Sequence, residues 1–210
     1  MEYVILIYSV WHRMRNLVFL IKNSIAGPSI EPGRHGSSIH LPNVNVSGNN
    51  SLTLATLGTC LAEIERCTNG MTLAFWVKGP QSQVSTLPNF LSSSSVTIFN
   101  GLSPTGFLIR FVIQESAARA VKYWGNVQLK FDEWHLLAVT YSTQFGAKFY
   151  LNGCPLKMEA PTLISNSRVA SYLIIGCNKY YMRCVHGNFD DLRIWTSEKD
   201  KDFIWMLWSI

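Results

Sequence analysis

Apolar and polar positions alternate most clearly in residues 134–153, and this stretch predicts two strands joined by a turn. One side of the first strand carries His135, Leu137, Val139 and Tyr141, and the other carries Leu136, Ala138 and Thr140. A period of two with β-branched and aromatic residues is typical of a strand. Because both sides are largely apolar, we predict that this strand lies inside a two-layer structure.

The rest of the chain repeats this pattern in shorter pieces. Gly146 interrupts the alternation, residues 147–151 begin a second strand, and Asn152-Gly153 supplies a pair that tolerates the positive φ of a tight turn. Further strands are predicted over residues 37–41, 51–55, 71–78, 94–99, 107–114, 171–175 and 188–195, and residues 121–124 are the start of a hairpin partner for 107–114. A short helix over residues 199–208, capped by Ser197, follows the last strand.

One acidic residue of the last strand stands among apolar ones. By alternation, Asp190 shares a side with Leu192 and Ile194. A carboxylate on the apolar side of a strand needs hydrogen-bond partners. We therefore expect Asp190 to point inward and to be hydrogen-bonded there.

Residues 1–27 do not fit the strand pattern, and we expect them to lie outside the fold, which then spans residues 28–210. Their two apolar runs are separated by His12-Arg13-Met14-Arg15, and neither run reaches the ~18 residues of a membrane-spanning helix. A secretion signal cleaved after Ala26 is one interpretation. A remnant of a misplaced start or a truncated gene is the other, and both stay open.

Length and charge narrow the class of protein. A chain of 210 residues is long enough for one well-buried domain. The formal charge is +5, but the Lys and Arg residues are scattered and do not interleave with aromatic residues. This distribution argues against nucleic acid as a partner.

The five cysteines bear on whether the protein occupies an oxidising or a reducing compartment. Cys60 and Cys67 have the same separation as Cys177 and Cys184, and neither pair has the spacing of a zinc site. Two local disulfides, Cys60–Cys67 and Cys177–Cys184, fit this spacing and predict an oxidising compartment. Two alternatives stay open: all five thiols are reduced in a cytosolic protein, or Cys154 pairs with Cys177 or Cys184.

Two glycosylation motifs agree with an oxidising, secretory compartment. Asn45-Val46-Ser47 and Asn49-Asn50-Ser51 both match the acceptor pattern, and both lie in a polar stretch. We therefore predict glycans on Asn45 and Asn49, where they would be exposed.

The order of these motifs resembles a known family. The motifs are AFWVKG, then WHLLAVTYS with FYLNG, then LIIG, then NFDDLRIW followed by a short helix. Together they are similar to the laminin-G-like and pentraxin-like jelly rolls of the concanavalin A-like lectin/glucanase superfamily. The resemblance implies an all-β fold, a two-sheet antiparallel β-sandwich (jelly roll) with a short C-terminal helix. It also implies extracellular recognition of glycans or proteins, often with calcium at the rim.

Metal and catalytic chemistry have weak support in the sequence. Asp132 and Glu133 are the candidate calcium ligands, although calcium wants six to eight oxygen atoms and no acidic cluster of pentraxin type is present. Glycosidases need two carboxylates about 5–9.5 Å apart on one sugar ring, and no strand carries alternating acids. Glu115 and Glu133 are isolated, and no G-x-S-x-G motif occurs. We therefore predict a protein that is not an enzyme and requires no cofactor.

The predicted function is extracellular recognition or adhesion, in the chain itself or as part of a larger receptor or matrix protein. The partner would be a glycan or an extracellular protein, and candidate contact residues are Arg110, Trp124, Tyr180 and Tyr181. Membrane attachment would require a longer parent protein, because no predicted span lies in this sequence. The alternatives are a glycan-active enzyme on the same fold and a structural spacer domain.

Overall fold

The structure is a computed structural model, which describes residues 4–6, 29–41, 51–55, 60, 63–79, 89–92, 96–103, 106–114, 120–164, 173–176 and 187–210. Its strands are β1 Val4–Leu6, β2 Ser29–Pro32, β3 Ser37–Leu41, β4 Ser51–Ala55, β5 Met71–Lys78, β6 Asn89–Ser92, β7 Val96–Ser103, β8 Gly106–Gln114, β9 Ala120–Leu129, β10 His135–Ser142, β11 Gly146–Leu151, β12 Cys154–Pro155, β13 Thr162–Ile164, β14 Leu173–Gly176 and β15 Gly187–Trp195. A single 3-10 turn, Ile64–Arg66, and one α-helix, α1 Lys201–Ser209, complete these described elements.

The strands form two antiparallel sheets. Sheet A has the order β12-β11-β10-β5-β15-β3-β2, with β1 paired to β15, and sheet B has the order β13-β9-β8-β7-β6-β14-β4. Strands that are distant in sequence, such as β5 and β15, are neighbours, which is expected of a jelly roll. The prediction of an all-β, two-sheet antiparallel sandwich with a short C-terminal helix is confirmed.

The main core lies between the two sheets. Sheet A contributes Phe75, Val139 and Phe149, and sheet B contributes Ile109 and Phe111. The rings of Phe111 and Phe149 stack across the sandwich with centroids 4.9 Å apart. Burying such aromatic side chains supplies much of the free energy that holds two sheets together.

A second apolar layer covers the other face of sheet A. Helix α1 places Ile204 and Leu207 against Trp76, Ala138 and Tyr150 of the sheet. The rings of Trp76 and Trp208 stack at 5.2 Å. This helix explains why both sides of β10 are apolar, because β10 is buried by sheet B on one side and by α1 on the other.

The predicted hairpin turn is present at the end of β11. Asn152 and Gly153 have φ angles of 50° and 79°, and Leu151 pairs with Cys154 across the turn. Two consecutive residues with positive φ match the twist of a two-residue hairpin, which explains the Asn-Gly sequence. The strand-turn-strand prediction for residues 134–153 is confirmed.

Two details at the chain's ends differ from the predictions. We expected residues 1–27 to lie outside the fold, but Val4–Leu6 pairs with Arg193, Ile194 and Trp195 of β15. For these three residues the expectation is wrong, because their backbone groups form hydrogen bonds with β15. The division of the chain at residue 27 otherwise stays a prediction. The helix cap is Asp200, not Ser197, since the Asp200 carboxylate accepts a hydrogen bond from the Phe203 N–H at 2.8 Å.

A β-bulge in β15 reverses the predicted side of Asp190. The register with β5 shifts between Asp190 and Arg193, and Asp191 has a φ of 48°. Leu192 and Ile194 therefore face the inter-sheet core, whereas Asp190 pairs with Trp76 on the face covered by α1. The prediction that Asp190 is buried and hydrogen-bonded is confirmed, because it accepts the His35 N–H at 2.8 Å.

The cysteine prediction is confirmed for one pair. Cys60 and Cys67 form a disulfide around the 3-10 turn, and Cys67 is buried in the main core. Cys154 is exposed and has no disulfide partner among the described residues. Cys177 and Cys184, like the glycosylation candidates Asn45 and Asn49, lie outside the described residues. Within the described part of the chain, no helix is both long and apolar enough to cross a membrane.

Candidate functional site

The outer face of sheet B carries a polar and aromatic surface on β8 and β9. The inner positions of these strands enter the core, and the positions between them point outward. The side chains on this side of the sheet that the structure describes are Leu108, Arg110, Val112, Lys122, Trp124, Asn126 and Gln128. Of these, Val112 is buried, and Leu108, Lys122 and Trp124 are half-buried. We call these seven residues the sheet B face.

Arg110 is the centre of the sheet B face. Its Nε donates a hydrogen bond to Asn126 Oδ1 at 2.8 Å, and Asn126 is its cross-strand partner. Its guanidinium carbon lies 5.9 Å from the centroid of the Trp124 ring. Both contacts orient the planar guanidinium beside an indole ring, so a donor group and an aromatic surface are presented together.

The neighbours of Arg110 and Trp124 set the charge of this face. Lys122 adds a second cation, and Gln128 adds an exposed amide. The loop of residues 156–161 runs along β9, where the Glu159 N–H donates to the Trp124 carbonyl at 3.2 Å and brings one exposed carboxylate to this edge. An arrangement of amide, guanidinium and ring suits hydroxyl and carboxylate groups on a flat polar ligand.

The structure brings together two of the four predicted ligand residues. Arg110 and Trp124 are in contact, whereas Tyr180 and Tyr181 lie outside the described residues. The sequence analysis does not single out Lys122, and it misses Asn126 and Gln128 because it identifies only the start of this strand, residues 121–124. A period of two does continue through residues 122, 124, 126 and 128, but Gly125 and Asn126 are poor strand formers and obscured it.

The candidate calcium ligands occupy the connection between β9 and β10. Asp132 has a φ of 59° and its N–H donates to the Gly79 carbonyl at 2.9 Å, while the Glu133 carboxylate pairs with Lys130 at 3.3 Å. No group of three or more His, Cys, Asp or Glu side chains converges among the described residues. Calcium prefers six to eight oxygen ligands, so Asp132 and Glu133 by themselves do not fit this ion.

Among the described residues, two titratable groups have clearly shifted pKa values, and both belong to sheet A. Burial raises the pKa of the Asp190 carboxyl, and burial lowers the pKa of the His135 imidazole. Neither residue lies on the sheet B face.

Comparison with known protein families identifies the family to which this fold belongs. A laminin-G-type family model, described as the concanavalin A-like lectin/glucanase superfamily, matches residues 35–204. The chain belongs to this superfamily. The match includes both sheets' central strands and the residues of the sheet B face, so the resemblance read from the sequence motifs is confirmed.

Solved structures of this superfamily's fold are similar over most of the chain. The binding domain of Paraclostridial Mosquitocidal Protein 1 has a TM-score of 0.59 at 13% identity, covering 87% of this chain and 45% of that one. The binding domain of Botulinum neurotoxin DC in complex with rat synaptotagmin II has a TM-score of 0.58 at 13% identity, covering 87% and 44%. The same toxin domain in complex with SialylT has a TM-score of 0.55 at 12% identity, covering 99% and 46%.

These similarities concern the fold alone, because the identities are low. This chain spans a little under half the length of each of those binding domains. The sequences of curated proteins give no significant match. Each of those three structures is a binding domain of a toxin or of a related protein.

Proposed function

We propose that the chain is a non-enzymatic recognition module that binds a glycan on the sheet B face. The observation that carries this proposal is the contact between Arg110 and Trp124, supported by Asn126. A sugar ring presents an apolar C–H face to an indole and hydroxyl groups to amide and guanidinium donors. The side chains are fixed before binding, which reduces the entropy lost when a ligand is held.

The similar structures support this proposal without deciding the ligand. One solved complex of a related binding domain contains SialylT and another contains synaptotagmin II. An extracellular or ectodomain location is proposed on the basis of the Cys60–Cys67 disulfide, since such bonds persist in oxidising compartments. We further propose that binding requires no calcium, because the sheet B face offers donors and a ring in place of a set of carboxylate ligands.

A glycan array tests the proposal directly. The wild-type protein should bind a defined set of glycans. Arg110→Ala and Trp124→Ala should each weaken that binding by about 5- to 150-fold, because about 1–3 kcal/mol is lost with one stacking or charged contact. Lys130→Ala is the matched control, because its exposed side chain sits on the β9–β10 connection. Binding should be equal in calcium and in EDTA.

Three outcomes would contradict the proposal in different ways. Sustained release of reducing sugar from bound glycans would favour the enzyme alternative. Absence of binding to any glycan, with or without calcium, would favour a spacer domain. Glycan binding that survives both substitutions would place the site away from the sheet B face.

A further inference from the structure

The turn between β11 and β12 contains a chemically reactive pair of residues. Asn152 is followed directly by Gly153, and their φ angles of 50° and 79° suit a two-residue hairpin. In an Asn-Gly pair, the backbone nitrogen of the glycine can attack the side-chain carbonyl carbon of the asparagine, because glycine has no side chain that hinders the approach. The pair that forms this turn is therefore also a candidate for deamidation.

Deamidation of this pair needs water and no other reactant. A bond forms between the Gly153 backbone nitrogen and Asn152 Cγ, and the bond between Cγ and Nδ2 breaks. The leaving nitrogen takes the proton of the Gly153 N–H and departs as ammonia. Water then opens the cyclic imide at either of its two carbonyl groups and leaves aspartate or isoaspartate. One water molecule is consumed, one ammonia is released, and nothing is oxidised or reduced.

In the folded protein, the Asn152 side chain is held against β10. Its Oδ1 accepts the Leu136 N–H at 2.9 Å, and the Asn152 N–H donates to the Leu136 carbonyl at 2.8 Å. Its Nδ2 lies 3.5 Å from His135 Nδ1. Attack by the Gly153 nitrogen would require the side chain to rotate away from β10. Such a rotation would leave the buried Leu136 N–H without an acceptor, which costs free energy.

Helix α1 restrains the turn from its other side. Gly153 is buried, and a Cβ added there would lie 2.9 Å from Trp205 Cε3 and 3.1 Å from Trp208 Cβ. Because the helix packs so closely on the turn, the backbone of Gly153 has little room to rotate toward Asn152 Cγ. Contacts with both β10 and α1 therefore have to open before the two atoms can meet.

We propose that Asn152 is a deamidation site that the fold protects and that reacts when this edge of sheet A opens. Strand β12 is the edge strand of sheet A and has only two residues, so the turn lies where local opening is easiest. The rate of deamidation should equal the rate in an unstructured peptide multiplied by the fraction of molecules in which the turn is open. This site is independent of the proposed glycan site.

Neither product can rebuild the turn unchanged. The His135 Nε2 lies 3.3 Å from the Lys130 carbonyl, so Nε2 carries the proton and Nδ1 accepts from the Asn152 amide. In aspartate, the second oxygen would face the Nδ1 lone pair at this place. Isoaspartate instead adds a carbon atom to the main chain between Leu151 and Cys154, which pair across the turn. Deamidation during an opening therefore hinders the return of the hairpin.

Peptide mapping by mass spectrometry tests the proposal. Trypsin releases residues 149–157, a peptide in which Asn152 is the only asparagine. The native protein and a synthetic peptide of the same residues are incubated at pH 8, and the loss of Asn152 is followed in both. We expect the reaction to be at least tenfold slower in the native protein than in the peptide, because the turn is rarely open. In concentrated urea, the protein should react as fast as the peptide.

A matched variant tests the restraint by α1. Trp205→Ala removes the ring that contacts Gly153, and more than half of the Trp205 surface is already exposed. The variant should react about threefold faster than wild type at Asn152, because the turn opens more often. The rate at Asn69, which precedes Gly70 in another Asn-Gly pair, should stay unchanged. Thermal unfolding checks that the variant folds.

Three results would overturn the proposal. Equal rates in the native protein and in the peptide would show that the fold does not protect Asn152. Absence of reaction in urea would show that Asn152 is not a deamidation site. Equal rates at Asn152 in Trp205→Ala and in wild type would contradict the restraint by α1. None of these measurements involves a glycan, so failure of the proposed function leaves them unaffected.

Discussion

The side-chain oxygen Oδ1 of Asn152 accepts a hydrogen bond from the backbone N–H of Leu136 at 2.9 Å. The Asn152 N–H in turn donates to the Leu136 carbonyl at 2.8 Å. Asn152 has left the strand and has a φ of 50°, so its own carbonyl no longer faces β10. Its side chain takes the place of a main-chain acceptor and satisfies a buried N–H at the point where the ladder ends.

Substitutions of Asn152 should separate its role as a hydrogen-bond acceptor from its role as a residue that adopts a positive φ. Asn152→Gly keeps the positive φ and removes only the acceptor, so the free energy of unfolding should fall by about 1–3 kcal/mol. Asn152→Ala removes the acceptor and adds the left-handed backbone cost of about 1–2 kcal/mol. Urea unfolding measures both, and equal stability of the two variants would contradict the backbone argument.

His135 should make the fold less stable in mildly acidic solution. Its Nε2 lies 3.3 Å from the Lys130 carbonyl, and its Nδ1 lies 3.5 Å from Asn152 Nδ2. The Asn152 amide cannot turn, since its Oδ1 is held by Leu136, so a proton on Nδ1 would face another donor. Burial lowers the pKa of His135, and the folded state therefore favours the neutral ring.

The sign of this effect follows from proton binding. Below the unfolded-state value of about 6.5, the unfolded chain binds more protons than the folded one, so the free energy of unfolding falls as pH decreases through this range. Above that pH, neutral His135 makes its full contribution to the free energy of unfolding. Denaturant titrations from pH 5 to 8 should show this slope in the wild type and a smaller slope in His135→Gln. Identical slopes would show that His135 is not the responsible group.

Much of the fold was readable because its signals are local. The alternation in β10 and the Asn152-Gly153 pair need only neighbouring residues, and both were predicted. The side of Asp190 was not, because the bulge depends on Asp191 adopting a φ of 48° and on its carboxylate pairing with Arg193. Such a bulge leaves the composition of β15 unchanged and only shifts its register with β5.

The sheet B face shows the same limit for function. Arg110 and Trp124 were each candidates, but their contact depends on the register of β8 with β9, which places Arg110 opposite Asn126 and Val112 opposite Trp124. Register is set by the turn and by the pattern of the whole hairpin. The ion pair between Lys148 and Glu198 was not predicted at all, because its two residues are 50 positions apart in the sequence.

Reduction of the Cys60–Cys67 disulfide should destabilise the protein. The bridge closes a short loop, seven positions apart, around the 3-10 turn that leads into β5. In the chain-entropy model a ring of this size contributes about 2–3 kcal/mol. A Cys60→Ser, Cys67→Ser variant should lose this amount in urea unfolding. Addition of dithiothreitol should lower the stability of the wild type by more than that of the variant. An equal loss in both would point to another disulfide, such as the predicted Cys177–Cys184.

Asp190 is accommodated by the turn between β2 and β3. The His35 N–H in this turn donates to Asp190 Oδ2 at 2.8 Å, and a Cβ added at Gly33 would lie 2.5 Å from the same oxygen. A residue without a side chain is therefore needed at position 33. The Asp190 carboxyl group is buried, and Trp76 is the cross-strand partner of Asp190. Burial raises the pKa of this carboxyl group, and the hydrogen bond from His35 opposes the rise only in part.

A raised pKa at Asp190 predicts that its ionisation weakens the fold. The pKa of the group in the unfolded state is about 3.9. Above about pH 4 the folded state therefore holds more protons than the unfolded state, so the free energy of unfolding falls as pH rises. It stops falling where the group is ionised in both states. Asp190→Asn keeps an oxygen acceptor for the His35 N–H and carries no charge. Its stability relative to wild type should therefore increase between pH 4 and pH 7, measured by urea unfolding. A difference between Asp190→Asn and wild type that stays constant with pH would contradict the assignment.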